Sequence, residues 1–293
     1  MKTHTTGKTD RDGSGKDRGS SGRRGGRRQP ASSRQPRKQQ QQSQSKFPAP
    51  LSEEETLARL LYRDGLILII DKPAGLPVHA GPGGGPNLEQ CLDALRFGLP
   101  NPPALAHRLD RDTSGCLVLG RHRKALRKLG LMFAGGQVEK TYWAIVRGRP
   151  AETAGTIDLS LKKLNQRTGW RMTVADKDDP ETQKAITDYR LLGSDGTISW
   201  LELKPRTGRT HQIRIHCTAL GCPLIGDPVY GPDAAGNREA GTKLHLHARA
   251  ISLPLYPNRA AVAVEAAPPP HMLAALAQCG YIAPETLTPQ TAG

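Results

Sequence analysis

Hydrophobic positions enter this chain late: residues 1–46 contain no Phe, Trp, Tyr, Leu, Ile or Val, and periodic patterning begins near Leu51. Ser52 followed by Glu53, Glu54 and Glu55 has the form of an N-cap with acids in the first turn. Leu57, Leu60 and Leu61 follow at helical spacing, which predicts a helix there. Leu66 to Ile70 is a β-rich apolar run stopped by Asp71-Lys72-Pro73, the pattern of a buried strand ending in a turn. After a Gly- and Pro-rich loop over 74–86, Leu88, Cys91, Leu92 and Leu95 predict a surface helix over 88–97. Residues 116–119 form a short apolar strand. A helix over 121–133 then sets Arg121, Arg123, Lys124, Arg127 and Lys128 opposite Leu126, Leu129 and Met132, and Gly135-Gly136 closes it.

The remaining pattern is mostly of period two. Residues 138–146 alternate as a strand with Lys140 and Tyr142 on one face, 155–190 read as polar hairpins, and 198–203 form another strand. Residues 212–216 also alternate, with Ile213 and Ile215 on one face and Gln212, Arg214 and His216 on the other. They are expected to be a strand that aims Arg214 across a cleft, where it suits a carboxylate partner. A further strand spans 244–253, and a helix over 271–279 turns Leu273 and Leu276 inward. Three ranges follow: a basic arm over 1–50, one folded domain over 51–285 and a short tail over 286–293.

Charge sharpens the division. Residues 1–46 hold 13 Lys and Arg against 3 Asp, carrying +10 of the net +15 and leaving +5 for the other 247 residues. A segment of Gly, Ser, Gln and Arg cannot offset the entropy of folding, so the arm is expected to be disordered. Either it attracts a polyanion such as RNA, or it is a solvated tail. No apolar run approaches the roughly 20 residues of a membrane helix, and none near the N-terminus suits a signal peptide, so a cytoplasmic location is expected. Gly83-Gly84-Gly85 lacks the Gly-Lys-Ser/Thr of a phosphate loop. The five cysteines form no Cys-x-x-Cys pair and read as reduced, buried thiols. His211, His216, Cys217 and Cys222 cluster, but structural zinc sites favour tighter paired spacing and these residues alternate faces if the segment is a strand; no metal is expected.

The chemistry concentrates in residues 106–119. Asp110 and Asp112 stand among His107, Arg108 and Arg111, and the polar run ends at Gly115 before Cys116-Leu-Val-Leu119. A loop on a rigid scaffold tolerates such charge beside a core strand, because ionised groups are not buried unpaired. The reading places the site here, on Asp110.

Two stretches carry a resemblance. His107-Arg-Leu-Asp110-x-x-Thr-Ser-Gly115 and Gly208-Arg-Thr-His-Gln-Ile-Arg214-Ile-His resemble the RluA-type RNA pseudouridine synthases. Asp71-Lys72-Pro73-Ala-Gly75, Lys140-x-Tyr142, Gly226-Asp227-x-x-Tyr230-Gly231 and Leu244-His-x-His-Ala agree in order, so the likeness spans roughly residues 60 to 255. It implies an α+β fold: a mixed, mostly antiparallel central sheet with flanking helices around an RNA-binding cleft, with no cofactor and no metal. It also implies conversion of uridine in rRNA or tRNA to pseudouridine: the base is flipped out, its glycosidic bond breaks, and uracil rejoins the ribose through carbon five.

In that chemistry an anionic Asp110 serves as nucleophile or base, because glycosidic cleavage places positive character on the sugar. Arg214 holds Asp110 and keeps it ionised, with a plain phosphate clamp as its alternative. Tyr142 offers a face for uracil and a hydroxyl near the proton at carbon five. Arg108 fills the vacated stack or contacts a phosphate, and Arg108, His107, Lys140, Arg209, His211 and Gln212 make up the expected RNA-contacting set. Asp112 and His107 shape the loop. A monomer acting on rRNA or tRNA is the expected unit. Two other readings stay open: an RNA N-glycosidase using Asp110 with Asp112, and a basic RNA-binding protein without turnover.

Overall fold

The computed structural model describes residues 50–81, 84–164, 171–235 and 241–283. The basic arm, Pro50 excepted, and the C-terminal tail lie outside the described residues, as does Gly83 of the glycine triplet.

Ser52 caps α1, Glu53–Leu57, with a complete capping box: its hydroxyl accepts the Glu55 N–H, and the Glu55 carboxylate accepts the Ser52 N–H. This helix is shorter than its leucine spacing predicts, because Leu60 and Leu61 belong to β1, Leu60–Arg63, which turns back against β2, Ile67–Lys72. The turn foreseen at Asp71-Lys72-Pro73 therefore falls later, since the strand runs through Lys72. A 3-10 helix, Leu88–Leu95, buries the four apolar positions that predicted it. β3, Ala104–Leu105, leads through the charged loop to β4, Ser114–Gly120, and α2, Arg123–Ala134, follows. Next come β5, Glu139–Arg147; β6, Ala154–Lys163; β7, Met172–Ala175; β8, Gln183–Ser194; and β9, Ile198–Pro205. The chain closes with α3, Gln212–Ala219; β10, Leu246–Leu253; β11, Val262–Glu265; and α4, Pro270–Gln278.

The expected strand over 212–216 is thus helix α3. Its residues Gln212 to Cys217 are all buried, so the alternation of Ile213 and Ile215 carries no exposed face to report.

One sheet joins the strands in the order β1-β2-β4-β10-β5-β9-β8-β6-β7, with β3 added to β4 and β11 to β10. Every pairing is antiparallel except that of β4 with β10, where Ser114 meets His247 and Gly115 meets Ala248. The fold is the mixed, mostly antiparallel α+β sheet the resemblance implies. β4 is buried along its whole length, as a strand covered on both faces must be. Ile67, Ile69, Cys116 and Val118 face Leu129 and Met132 of α2, while Leu68, Ile70, Leu117 and Leu119 face Leu88, Leu92, Leu95 and Leu109. Leu109 therefore anchors in the core the residue just before Asp110. Among the described residues no helix is long and apolar enough to cross a membrane.

Candidate active site

The loop between β3 and β4 is pinned on both sides of Asp110. Before it, the His107 ring stacks on Phe133 at 4.7 Å and its Nε2 accepts the Val118 N–H at 3.0 Å. Burial, with the Lys140 charge adding to it, pushes the His107 pKa down to about 3, so the ring is neutral and can accept that bond. His107 shapes the loop, and the nitrogen facing the strand is unavailable to RNA. After Asp110, its own carbonyl accepts the Thr113 N–H at 3.2 Å, while the Arg111 carbonyl accepts the Gly75 N–H and the Lys72 Nζ, each at 2.9 Å.

Lys72, read from the sequence only as part of Asp71-Lys72-Pro73, turns out to brace the charged loop. It is fully buried and donates to three carbonyls, of Pro73, Leu76 and Arg111, at 2.8, 2.8 and 2.9 Å. Burial pushes its pKa down to about 7 against the raising fields of Asp112, Asp110 and Asp71. A buried ammonium needs such a set of oxygens, and here they tie the segment after β2 to the charged loop.

Gly115 fixes how the loop meets the sheet. Its φ is +107°, and a Cβ there would lie 2.2 Å from the Ala248 carbonyl oxygen, so only glycine lets β10 run alongside. Next to it the Ser114 hydroxyl is 2.9 Å from His247 Nδ1, and His247 Nε2 is 3.1 Å from the Ala266 carbonyl. A carbonyl only accepts, so Nε2 carries the proton and Ser114 donates to Nδ1.

Asp110, with a side chain 21% exposed, faces a cavity of about 120 Å³ lined also by Arg108, Lys140, Tyr142, Thr207, His211 and Arg214. β5 delivers Lys140 and Tyr142 by its alternation, as expected. Burial foremost, and then the Asp110 charge, raises the Tyr142 pKa, so the phenol stays protonated. Burial lowers the Lys140 pKa, and no acid pairs with its ammonium among the described residues. A second cavity, about 450 Å³, continues past Arg108, Lys140 and Tyr142 to Phe133, Arg206 and Arg209, and a third, about 530 Å³, opens on the other side of Asp110 beside Val78 and Val229. Arg108 lines all three and is exposed.

Arg214 is brought to Asp110, but differently from the expectation. It projects from helix α3, not from a strand, and its main partner is Asp227, which it grips through Nε and Nη2 at 2.8 and 2.6 Å. Both side chains are nearly inaccessible, 5% and 1% exposed. Burial opposes the guanidinium charge, but the hydrogen bonds and charge of Asp227 outweigh it and hold the Arg214 pKa above the usual arginine range. Nη1 is left 3.6 Å from Asp110 Oδ2, an ion-pair distance longer than a hydrogen bond. Asp227 also accepts the N–H groups of Val229 and Tyr230, which builds the turn carrying Tyr230. Asp227 and Tyr230 belong to the Gly-Asp-x-x-Tyr-Gly pattern, so their presence was readable and their pairing was not.

The other expected residues divide. His211 Nε2 lies 3.7 Å from Asp110 Oδ2. Arg209 is exposed and donates to the Lys184 carbonyl at 3.1 Å. Gln212 lines the cavity but is buried with its polar atoms engaged: its carbonyl oxygen accepts from Thr207 Oγ1 and the Arg209 N–H, and its amide donates to the Ile186 carbonyl and Thr187 Oγ1. It is a bracket joining α3 to β8, because the helix turns it inward. Asp112 is drawn aside by Arg111 through two contacts of 3.1 Å, leaving Asp110 as the carboxylate at the centre of the cavity. Among the described residues no three His, Cys, Asp or Glu gather as metal ligands, and Cys217, on α3, and Cys222, just after it, lie buried in the core.

Comparison with known proteins agrees with this geometry. The family model for RNA pseudouridylate synthase matches residues 66–219, which carry Asp110, Tyr142, His211 and Arg214. An uncharacterized RNA pseudouridine synthase of Zymomonas mobilis is 45% identical over 159 residues, covering 54% of this chain and 71% of the relative. The mitochondrial pseudouridylate synthase RPUSD4 of Rattus norvegicus is 32% identical over 271 residues, covering 80% and 72%. Among solved structures, human RNA pseudouridylate synthase domain containing 4 superposes with a TM-score of 0.65 at 27% identity, over 79% of this chain and 97% of that one. With a match over more than half its length and relatives aligned along most of theirs, this chain belongs to the RNA pseudouridylate synthase family.

Proposed function

We propose that this protein isomerises uridine to pseudouridine in RNA with Asp110 as the reacting group. The observation that carries the assignment is the single carboxylate in a cavity between a protonated phenol, Tyr142, and a guanidinium, Arg214, that another acid already holds. Arg214 and His211 both approach Oδ2 of Asp110, at 3.6 and 3.7 Å, so the carboxylate faces two cationic or donor groups without being hydrogen-bonded to either. That carboxylate is suited to meet the sugar, either attacking the anomeric carbon or removing a neighbouring proton.

Base flipping would bring uracil against the Tyr142 ring, with its hydroxyl as the proton-handling group at carbon five once the bond has re-formed. Arg108, at the junction of three cavities, would occupy the vacated stack. Lys140, a half-buried cation without an acid partner, suits a phosphate of the same strand. The finer expectation, a uridine of rRNA or tRNA modified in the cytoplasm by a single chain, is part of the same proposal. The N-glycosidase alternative loses its second acid, since Arg111 holds Asp112.

The test is Asp110→Asn on unmodified rRNA and tRNA transcripts, with pseudouridine mapped chemically and free uracil measured alongside. The expected result is loss of pseudouridine with RNA affinity retained. Full pseudouridine formation by the variant, or release of free uracil by the parent protein, overturns the assignment.

A further inference from the structure

His211 stands at the N-cap of α3 with φ +55° and ψ +18°, a left-handed conformation that residues bearing a Cβ rarely adopt. An N-cap residue normally holds extended backbone and turns its side chain onto the helix. Here the side chain makes no cap bond, and it points into the site between Tyr230 and Asp110.

The proton positions follow from which groups can only donate. The Met172 N–H meets the Tyr230 oxygen at 2.9 Å, and an amide N–H cannot accept. Tyr230 accepts from Met172 and has its own proton to give to the other neighbour, His211 Nδ1, at 2.8 Å, the direction that suits an acceptor-only carboxylate on the far side of the ring. With Nδ1 accepting, the ring's proton lies on Nε2, which faces Asp110 Oδ2 at 3.7 Å. The opposite tautomer would set a lone pair against a carboxylate. Burial lowers the His211 pKa, and although Asp110 and Asp227 raise it, Arg214 and Arg108 oppose them, so the ring is neutral and its tautomer carries information.

We propose that His211 is a positioning residue, held by the Met172–Tyr230 relay as its Nε2–H tautomer and serving as the second donor that steadies Asp110 beside Arg214. The inference rests on the reading of Asp110 as the reacting group. In the free protein both donors stop just beyond hydrogen-bond range, and they close on Oδ2 when RNA fills the cavity. Because Met172 lies on β7, the relay also makes the β6–β7 hairpin part of the support for the site.

The test begins with nitrogen NMR on the wild-type protein labelled at histidine, which needs no variant to fold. The expected spectrum for His211 shows an unprotonated Nδ1 and a protonated Nε2; a protonated Nδ1 overturns the proposal. Tyr230→Phe keeps the ring under Arg214 and removes the relay proton. It should lose the tautomer preference and slow single-turnover pseudouridine formation roughly five- to tenfold, with RNA affinity unchanged. His211→Asn, which tolerates the left-handed backbone but cannot reach Asp110, should show the same split. An unaltered single-turnover rate in either folded variant overturns the role. Should Asp110→Asn retain activity, the functional reading fails instead, and the tautomer result stands apart from it.

Discussion

Replacing Asp227 with asparagine probes the feature that sequence reasoning missed. The substitution keeps the shape and removes one charge from a pair whose side chains are 5% and 1% exposed. Arg214 would then stay buried without the partner that binds it at 2.8 and 2.6 Å. Removing one member of a buried pair costs about 3 to 5 kcal/mol. The asparagine oxygen can still accept the Val229 and Tyr230 N–H groups, which puts the expected loss near the lower figure, about 3 kcal/mol. A second effect is chemical. The nearest remaining anion is Asp110, 3.6 Å from Nη1, and an uncompensated guanidinium would close that gap and draw the carboxylate out of place. Misplacement by an ångström is worth about 100-fold in rate. Urea unfolding and single-turnover pseudouridine formation at saturating RNA measure the two effects separately. A variant within about 1 kcal/mol of the parent, with its rate intact, would refute the view that Asp227 holds Arg214 for Asp110. Adding Arg214→Met should recover stability but not rate, since two uncharged groups no longer oppose burial.

Two further outcomes follow from the same region. Gly115→Ala should destabilise by roughly 3 kcal/mol or more, since strained backbone and a 2.2 Å approach to the Ala248 carbonyl act together. Gly98→Ala, also at positive φ but with open space around it, should cost only about 1 to 2 kcal/mol; equal losses in urea melts would show that the close approach is not what matters. Acid should unfold the protein through His216 and His247, both fully buried and both pushed down to about 4 mainly by burial. Their folded pKa values lie below the unfolded value of about 6.5, so the unfolded chain binds more protons between those limits. The contribution of these two rings should be level above about pH 6.5 and turn unfavourable as pH drops toward 4, by up to about 3 kcal/mol for each ring. Urea midpoints that do not change between pH 7 and 4.5 would contradict this.

The elements legible in the sequence are those whose pattern reflects a real asymmetry of environment. α2 has a basic solvent face and a leucine face, and β2 and β4 are apolar runs too short for helices, so all three were found. α3 was misread because six consecutive residues, Gln212 to Cys217, are buried together, which erases the helical period and leaves an accidental alternation of isoleucines. At the site, Asp110, Tyr142 and Arg214 were each singled out, and the fold gathers them around one cavity. What stayed hidden was pairing. Lys72 reaches a carbonyl 39 positions away, and His211 reaches a hydroxyl 19 positions away. A single sequence carries the donors and acceptors but not the distances between them.

The parallel pairing of β4 with β10 ties the site to a distant part of the chain. Ser114 and His247 stand 133 positions apart in the chain, yet their bond closes the strand on which the Asp110 loop rests. Closing so long a loop costs chain entropy and slows folding as a whole. β4 pairs with β2 on one side and with β10 on the other, so the reacting loop has its full support only with β10 in place. A chain interrupted before β10 would hold Asp110, Tyr142 and Arg214 without the strand that frames the first of them.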